Sequence, residues 1–313
     1  VSVAIALASS LVVIFYGHRI YDHFAAQAFT PSSEISAIHD NLKLTKQGSD
    51  ILYASQPRLE DGQAFNSSCQ SAERTAAILG CYYMRRVYVY DVTNDELAEA
   101  EEVTTAHEML HAAYERLHVF DRERIDKLID AEYRRLQGDD KIQQLMEYYK
   151  KAEPSALTNE LHSILGTVIA DLSPELEDYY ARYFTDRQHV VDVNNAYYAV
   201  FAEVEAKAKE LTSRITVLDD QVKTDKNSYQ AAVDQLKLDI QAYKSRTYTS
   251  NSLAQADARA LNVRVAALET TRQAINTKVG ELNDLIRQQN DLSVRANELN
   301  SSINGIVDAE VSL

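Results

Sequence analysis

The chain is poor in the residues that bend, cross-link or attract polyanions. It has eight Gly and four Pro among 313 residues, two Cys, and no Trp. So little turn material is incompatible with a many-stranded β protein. The abundance of Ala, Leu, Glu, Gln and Asp points instead to a mainly helical chain. Two cysteines are too few for a thiolate zinc site, and Cys69 and Cys81 lack the C-x-x-C spacing of a redox pair. With eleven residues between them, they suit either one local disulfide loop in an oxidising compartment or two buried thiols in a reducing one. Positive charge is short as well: 32 Lys and Arg stand against 47 Asp and Glu, a net charge of −15. No basic stripe with interleaved aromatics occurs, which excludes nucleic acid as a partner.

Long apolar runs are also scarce; the one that stands out is Val1 to Tyr16, uncharged and followed by Gly17-His18-Arg19. It falls just short of the roughly 20 residues of a membrane span. A secretory h-region and a buried core helix are the alternatives. The length of the run, and Tyr16 and Tyr21 at interfacial positions, favour a transmembrane anchor over residues 1–20. The expectation is a single-pass, membrane-anchored chain with the rest extracytoplasmic, which would also favour the disulfide.

Between His18 and Ala64 the sequence is mixed, punctuated by Pro31, Gly48, Pro57 and Gly62. A helix is expected over Ser32–Leu44 and a small irregular segment over Leu42–Tyr53. Cys81 to Val92 is dense in β-branched and aromatic residues and reads as one strand, whose free edge can align an extended peptide by strand addition. From about Asn194, apolar residues recur in alternating steps of four and three, from Val204 through Leu211, Leu218 and Val222 to Leu236 and Tyr243, with Asp225 in the skipped slot. A second series runs from Leu261 to Ile286, after a polar turn at Arg246–Ser252. These seams predict an antiparallel coiled-coil hairpin over 191–313, with an arm of roughly 75–80 Å. A single long helix that dimerises is the alternative. Such an arm serves as a spacer, as a docking surface for a protein partner or a second copy, or as a gate. The expected fold is thus mainly α, with an α+β body carrying a small sheet over residues 21–190.

The chemistry concentrates in His107-Glu108-Met109-Leu110-His111, inside a helical run from Asp95 to His118. Two histidines four apart project from one helix face, where one zinc ion can accept both imidazoles. Glu108, about 100° round the helix from His107, is placed to take a proton from a water held at the ion. Asn94 or Thr93 caps the helix and Asp95 and Glu96 complement its dipole. Val103, Ala106, Leu110, Ala113 and Leu117 form a stripe for the core, with His107, His111, Tyr114 and His118 beside it.

A zinc site needs a third protein ligand. His118 lies about 10 Å along the helix from His111, too far to share the ion. Tyr114 and Leu117 stand where a metzincin has Gly and His, which excludes that version. Helices expected over Asp121–Leu136 and Asp139–Ala152 lead to Thr158-Asn159-Glu160-Leu161-His162, where a Glu and a His sit in apolar company. They are two apart, about 200° round a helix, so only one of them faces the ion.

His107, Glu108, His111 and the downstream Asn159-Glu160 resemble the gluzincin group of zinc metallopeptidases, in which a Glu on a later helix completes the site. The resemblance covers about Val87 to Phe184. It implies zinc held by His107, His111 and Glu160, with Glu108 polarising the water and a peptide or protein as substrate. Ser163 and Ile164 occupy the place where the group carries a supporting Asp. In this chemistry a Tyr or His steadies the oxyanion; His162, Tyr180 and Tyr183 are the candidates. The alternative for the tyrosines is an aromatic packing face on the helix opened by Ser173-Pro174. A different reading of the whole chain is a scaffold whose arm binds a partner and whose zinc site is structural or inactive.

Overall fold

The computed structural model describes residues 17–69, 79–152 and 156–303. The chain is mainly helical, with one three-stranded sheet. Two compact units divide it. Of the described residues, one comprises those up to Phe201 together with Glu298–Ile303, and the other is Ala202–Asn297.

The first unit opens with a helix over residues 17–28 (α1), then α2 (Ser33–Asn41) and α3 (Lys46–Ala54). Ser32 and Thr45 cap α2 and α3, each side chain accepting a hydrogen bond from a backbone N–H three residues on, which satisfies one of the helix's orphan donors. The segment expected to be irregular over 42–53 is therefore largely helical; Lys43, in a left-handed conformation, turns the chain between α2 and α3. Gly48 is needed for space, because a Cβ there would collide with the backbone oxygen of Tyr183. That close approach lets Thr45 N–H bond to Tyr183 O at 2.8 Å.

After β1 (Arg58–Glu60) and α4 (Gly62–Ser68) come β2 (Gly80–Tyr83) and β3 (Arg86–Tyr90). The single strand expected over 81–92 is two strands of a hairpin. Met84 and Arg85 both adopt positive φ, the geometry of a two-residue primed turn. No Gly or Asn announces it, so the run of strand-formers reads straight through. In the sheet order β1-β3-β2, β3 is central and parallel to β1, while β2 is antiparallel to it. Among the described residues, β1 and β2 are the two edge strands. Tyr83 and Arg86 close the hairpin, and Tyr90 N–H bonds to Leu79 O. By the alternation of antiparallel pairs, the backbone groups of Gly80 and Tyr82 point away from β3. Cys69, after α4, and Cys81, in β2, form a disulfide.

A short 3-10 turn, Asp95–Leu97, leads into α5 (Glu99–Glu115). This helix is buried nearly all round at its middle: Thr105, Ala106, Glu108, Met109, Leu110, His111, Ala112 and Ala113 are all buried. Its small residues let the sheet, α3 and the later helices crowd against it. Then follow α6 (Val119–Arg135), α7 (Asp140–Ala152), α8 (Leu157–Thr167) and α9 (Pro174–Tyr180). Ile125, Ile129, Ile142 and Met146 join α5 and α8 in one core with Tyr179, Tyr180, Tyr183 and Phe184.

Among the described residues, no helix is long and apolar enough to cross a membrane. This corrects the expected single-pass, membrane-anchored placement. The apolar run that prompted it, residues 1–16, lies outside the described residues.

The second unit is built from the bulk of α10 (Arg187–Ser245) and α11 (Asn251–Ile303). Side chains link them in opposite order: Thr212 with Gln289, Asp225 with Lys278, Asp239 with Arg264. Val222 and Leu236 of the first seam and Ile275 and Leu285 of α11 are buried.

One buried ion pair ties α1 to α5. Arg116 donates from Nε to both oxygens of Asp22, and from its other nitrogens to Tyr82 Oη, Ser55 Oγ and Ala112 O. Truncating Arg116 leaves the Asp22 carboxylate buried without its partner, which costs about 3–5 kcal/mol. Arg116→Ala should lower the unfolding free energy in urea by that amount; a loss below about 1 kcal/mol would show the pair to be dispensable.

Candidate metal centre

The site is made where α5 and α8 cross. The two helices pack directly on each other, and Gly166 permits it. A Cβ at that position would collide with Leu110 Cδ1 and lie 2.9 Å from Tyr180 Cε1. The close approach carries Glu160, in the first turn of α8, over His107 and His111, one turn apart on α5.

His107 Nε2 lies 3.5 Å from Glu160 Oε2, and His111 Nε2 lies 3.4 Å from Glu160 Oε1. The two Nε2 atoms are 3.1 Å apart, with the imidazole planes inclined at 75°. Two imidazole nitrogens and a carboxylate converge, all lone-pair donors. Their separations are close to the about 3.3 Å edge of a tetrahedron with bonds of about 2.05 Å, the length zinc makes to nitrogen and oxygen. The residues present therefore fit a metal ion. Among the described residues this is the one group of His, Cys, Asp or Glu with that convergence. His118, at the cap of α6, is not part of it.

The electrostatics describe a pocket that needs positive charge. Burial pushes the Glu160 carboxyl up, but the adjoining imidazoles and a hydrogen bond from Tyr149 outweigh it, and the net shift is downward. Burial likewise pushes His107 down, yet its hydrogen bond to Glu160 and the charges of Glu108 and Glu160 raise it above the usual histidine value. His111 is depressed to about 4, by burial above all, with the neighbouring His107 acting in the same direction against the pull of Glu160.

Glu108 is also buried. Its side chain lies along β2, with Oε1 beside Gly80. His162 takes a different place from Glu160: Nε2 lies 2.8 Å from Tyr179 Oη, and its ring packs among Tyr114, Tyr179 and Tyr180. Tyr183 donates to Tyr179 Oη at 3.3 Å, and Tyr180 donates to the His162 carbonyl at 2.6 Å. His162, Tyr180 and Tyr183 are thus members of one buried aromatic cluster behind the ligand helix, and His162 is outside the convergent group.

Two residues at the site escaped the sequence reading. Tyr149 of α7 reaches Glu160, although its spacing marks it only as part of an apolar stripe. Asn159, seen as half of an Asn-Glu pair, lies beside His111, and its buried side-chain oxygen has no hydrogen-bond partner. A contact between helices leaves no local signal, so neither role could be read from spacing.

Comparison of the chain with family models, curated proteins and solved structures finds no match in any of the three.

The shifts set a pH dependence for the metal-free protein. His111 and His162 have folded-state pKa values below the ordinary 6.5. The unfolded chain therefore takes up protons first as pH falls through 6.5, and the stability present above that pH is lost on the way to about 4. His107 acts in the opposite sense, as do Asp22 and Glu101, whose carboxyls burial raises. For His111 the loss is about 3 kcal/mol. The melting temperature without metal should fall steadily from pH 7 to pH 4.5 by calorimetry; a flat profile would contradict these assignments.

Proposed function

We propose that this chain is a zinc-dependent endopeptidase of gluzincin type, with His107, His111 and Glu160 as ligands and Glu108 as general base. The observation that carries this reading is the convergence of two imidazoles and one carboxylate at tetrahedral-edge spacing, with a second carboxylate next to the first ligand in sequence. Zinc, when bound, supplies a Lewis acid that polarises a carbonyl and lowers the pKa of water. The protein's own part is positioning and proton transfer. Glu108 takes the proton from the attacking water and delivers it to the leaving amine. Tyr149 holds Glu160 in place, the support that metal ligands ordinarily receive from a second layer of hydrogen bonds. His162 and Tyr183 act through the aromatic cluster that backs α8, and Tyr149 is the phenol that reaches the ligand set.

Substrate form follows from β2. The outward N–H and C=O groups of Gly80 and Tyr82 can pair with an extended peptide, and Gly80 lies against the base. An unfolded or loop segment of a protein satisfies that requirement.

A second reading rests on the two long helices of the second unit, which form an antiparallel coiled-coil hairpin with polar pairs fixing its register. Here the arm binds a protein partner or a second copy, and the metal site is structural.

The purified protein loaded with zinc should contain about one zinc per chain, lost in His107→Ala. It should cut an unstructured protein such as casein, and Glu108→Gln should lower kcat by at least about a hundredfold with zinc retained. Cleavage unaffected by Glu108→Gln, or wild-type protein that binds no zinc, rules the peptidase out. Zinc bound with no cleavage of any peptide favours the scaffold.

A further inference from the structure

Glycine at position 80 has no conformational cause, since none of the described glycines has positive φ. What it has is close neighbours. A Cβ on Gly80 would collide with Thr104 Cγ2 and would lie 2.8 Å from Glu108 Cγ and 2.9 Å from Glu108 Oε1. The Glu108 side chain therefore occupies space that is open only because residue 80 has no side chain.

The strand bearing this gap is held from several directions. It pairs with β3 along its length, Cys81 is bonded to Cys69 at the end of α4, and Tyr82 Oη accepts from Arg116. Arg116 and Glu108 sit on the same side of the molecule as β2, one at each end of it: Gly80 is by Thr104 and Glu108, and Tyr82 is by Arg116. β2 cannot shift away from α5 without breaking one of these attachments. A base must be held within a fraction of an ångström of its working position, and a misplacement of about 1 Å costs about a hundredfold in rate.

We propose that Gly80 is a positioning residue for the base, its missing side chain forming the seat in which the Glu108 carboxylate is held against the β2 edge. This rests on the hydrolase reading above. It predicts that filling the seat disables proton transfer and leaves the ligand set intact.

The test compares Thr104→Ala with Gly80→Ala/Thr104→Ala. Removing the Thr104 methyl leaves Glu108 as the neighbour that must yield to the new Cβ and keeps the strand foldable. In crystal structures the double variant should show the Glu108 carboxylate displaced by about 1 Å or more relative to Thr104→Ala. Zinc content should be unchanged at one per chain. On casein peptides kcat should drop about a hundredfold with KM unchanged, the signature of a lost transition-state contribution. Glu108 unmoved, kcat unchanged, or zinc lost in the double variant would each overturn the proposal. If the wild-type protein with zinc cuts no peptide, the peptidase reading fails by itself, and the position of Glu108 in the two crystals alone decides whether Gly80 forms its seat.

Discussion

A carboxylate sealed away from water requires positive charge or hydrogen-bond donors around it, and in this protein that requirement falls on Glu160. It sits in the first turn of α8, in a segment otherwise made of apolar and small residues. It is stable there because two imidazoles from α5 and a phenol from α7 face it. The rest of the body can be understood as the means of keeping these groups together. Gly166 lets α5 and α8 approach closely enough. The small residues of α5 let the sheet close on its other side. The aromatic cluster of Tyr179, Tyr180 and Tyr183 braces α8 from behind through His162.

The two carboxylates near the histidines lie on adjoining helices. Glu160 faces two imidazoles and the Tyr149 phenol, and its protonation is suppressed. Glu108 packs between α5 and β2, where its charge helps to raise His107.

Much of this was legible in the sequence, for identifiable reasons. His107, Glu108 and His111 lie within five residues of one helix, so their mutual placement follows from helical geometry alone. The long helices of the second unit follow from heptad spacing, and α2 from the helix expected at Ser32, whereas α3 fell in a segment read as irregular. What was not legible depends on tertiary contact or on backbone conformations without a residue signature. The turn at Met84-Arg85 uses two residues that rarely adopt positive φ, so a hairpin read as one strand. The helix α5 was legible as amphipathic with one buried stripe, whereas the fold buries it on nearly every side. Its density of alanines was the available sign. The packing of Tyr149 on Glu160 required knowing how α7 folds back.

The ligand set also spans the chain in a way that bears on folding. His107 and His111 are neighbours in any helical fragment, but Glu160 lies 49 residues beyond His111 and reaches them only after α6, α7 and α8 have assembled. A helical fragment of α5 therefore offers an ion two imidazoles, while the folded chain holds three candidate ligands already gathered. Any ion that prefers the gathered set shifts the folding equilibrium by mass action, by about 1.4 kcal/mol for each tenfold rise in its free concentration above the dissociation constant. The amount of intact protein would then track the metal content of its surroundings, making the ion a determinant of the protein's lifetime as well as of its chemistry.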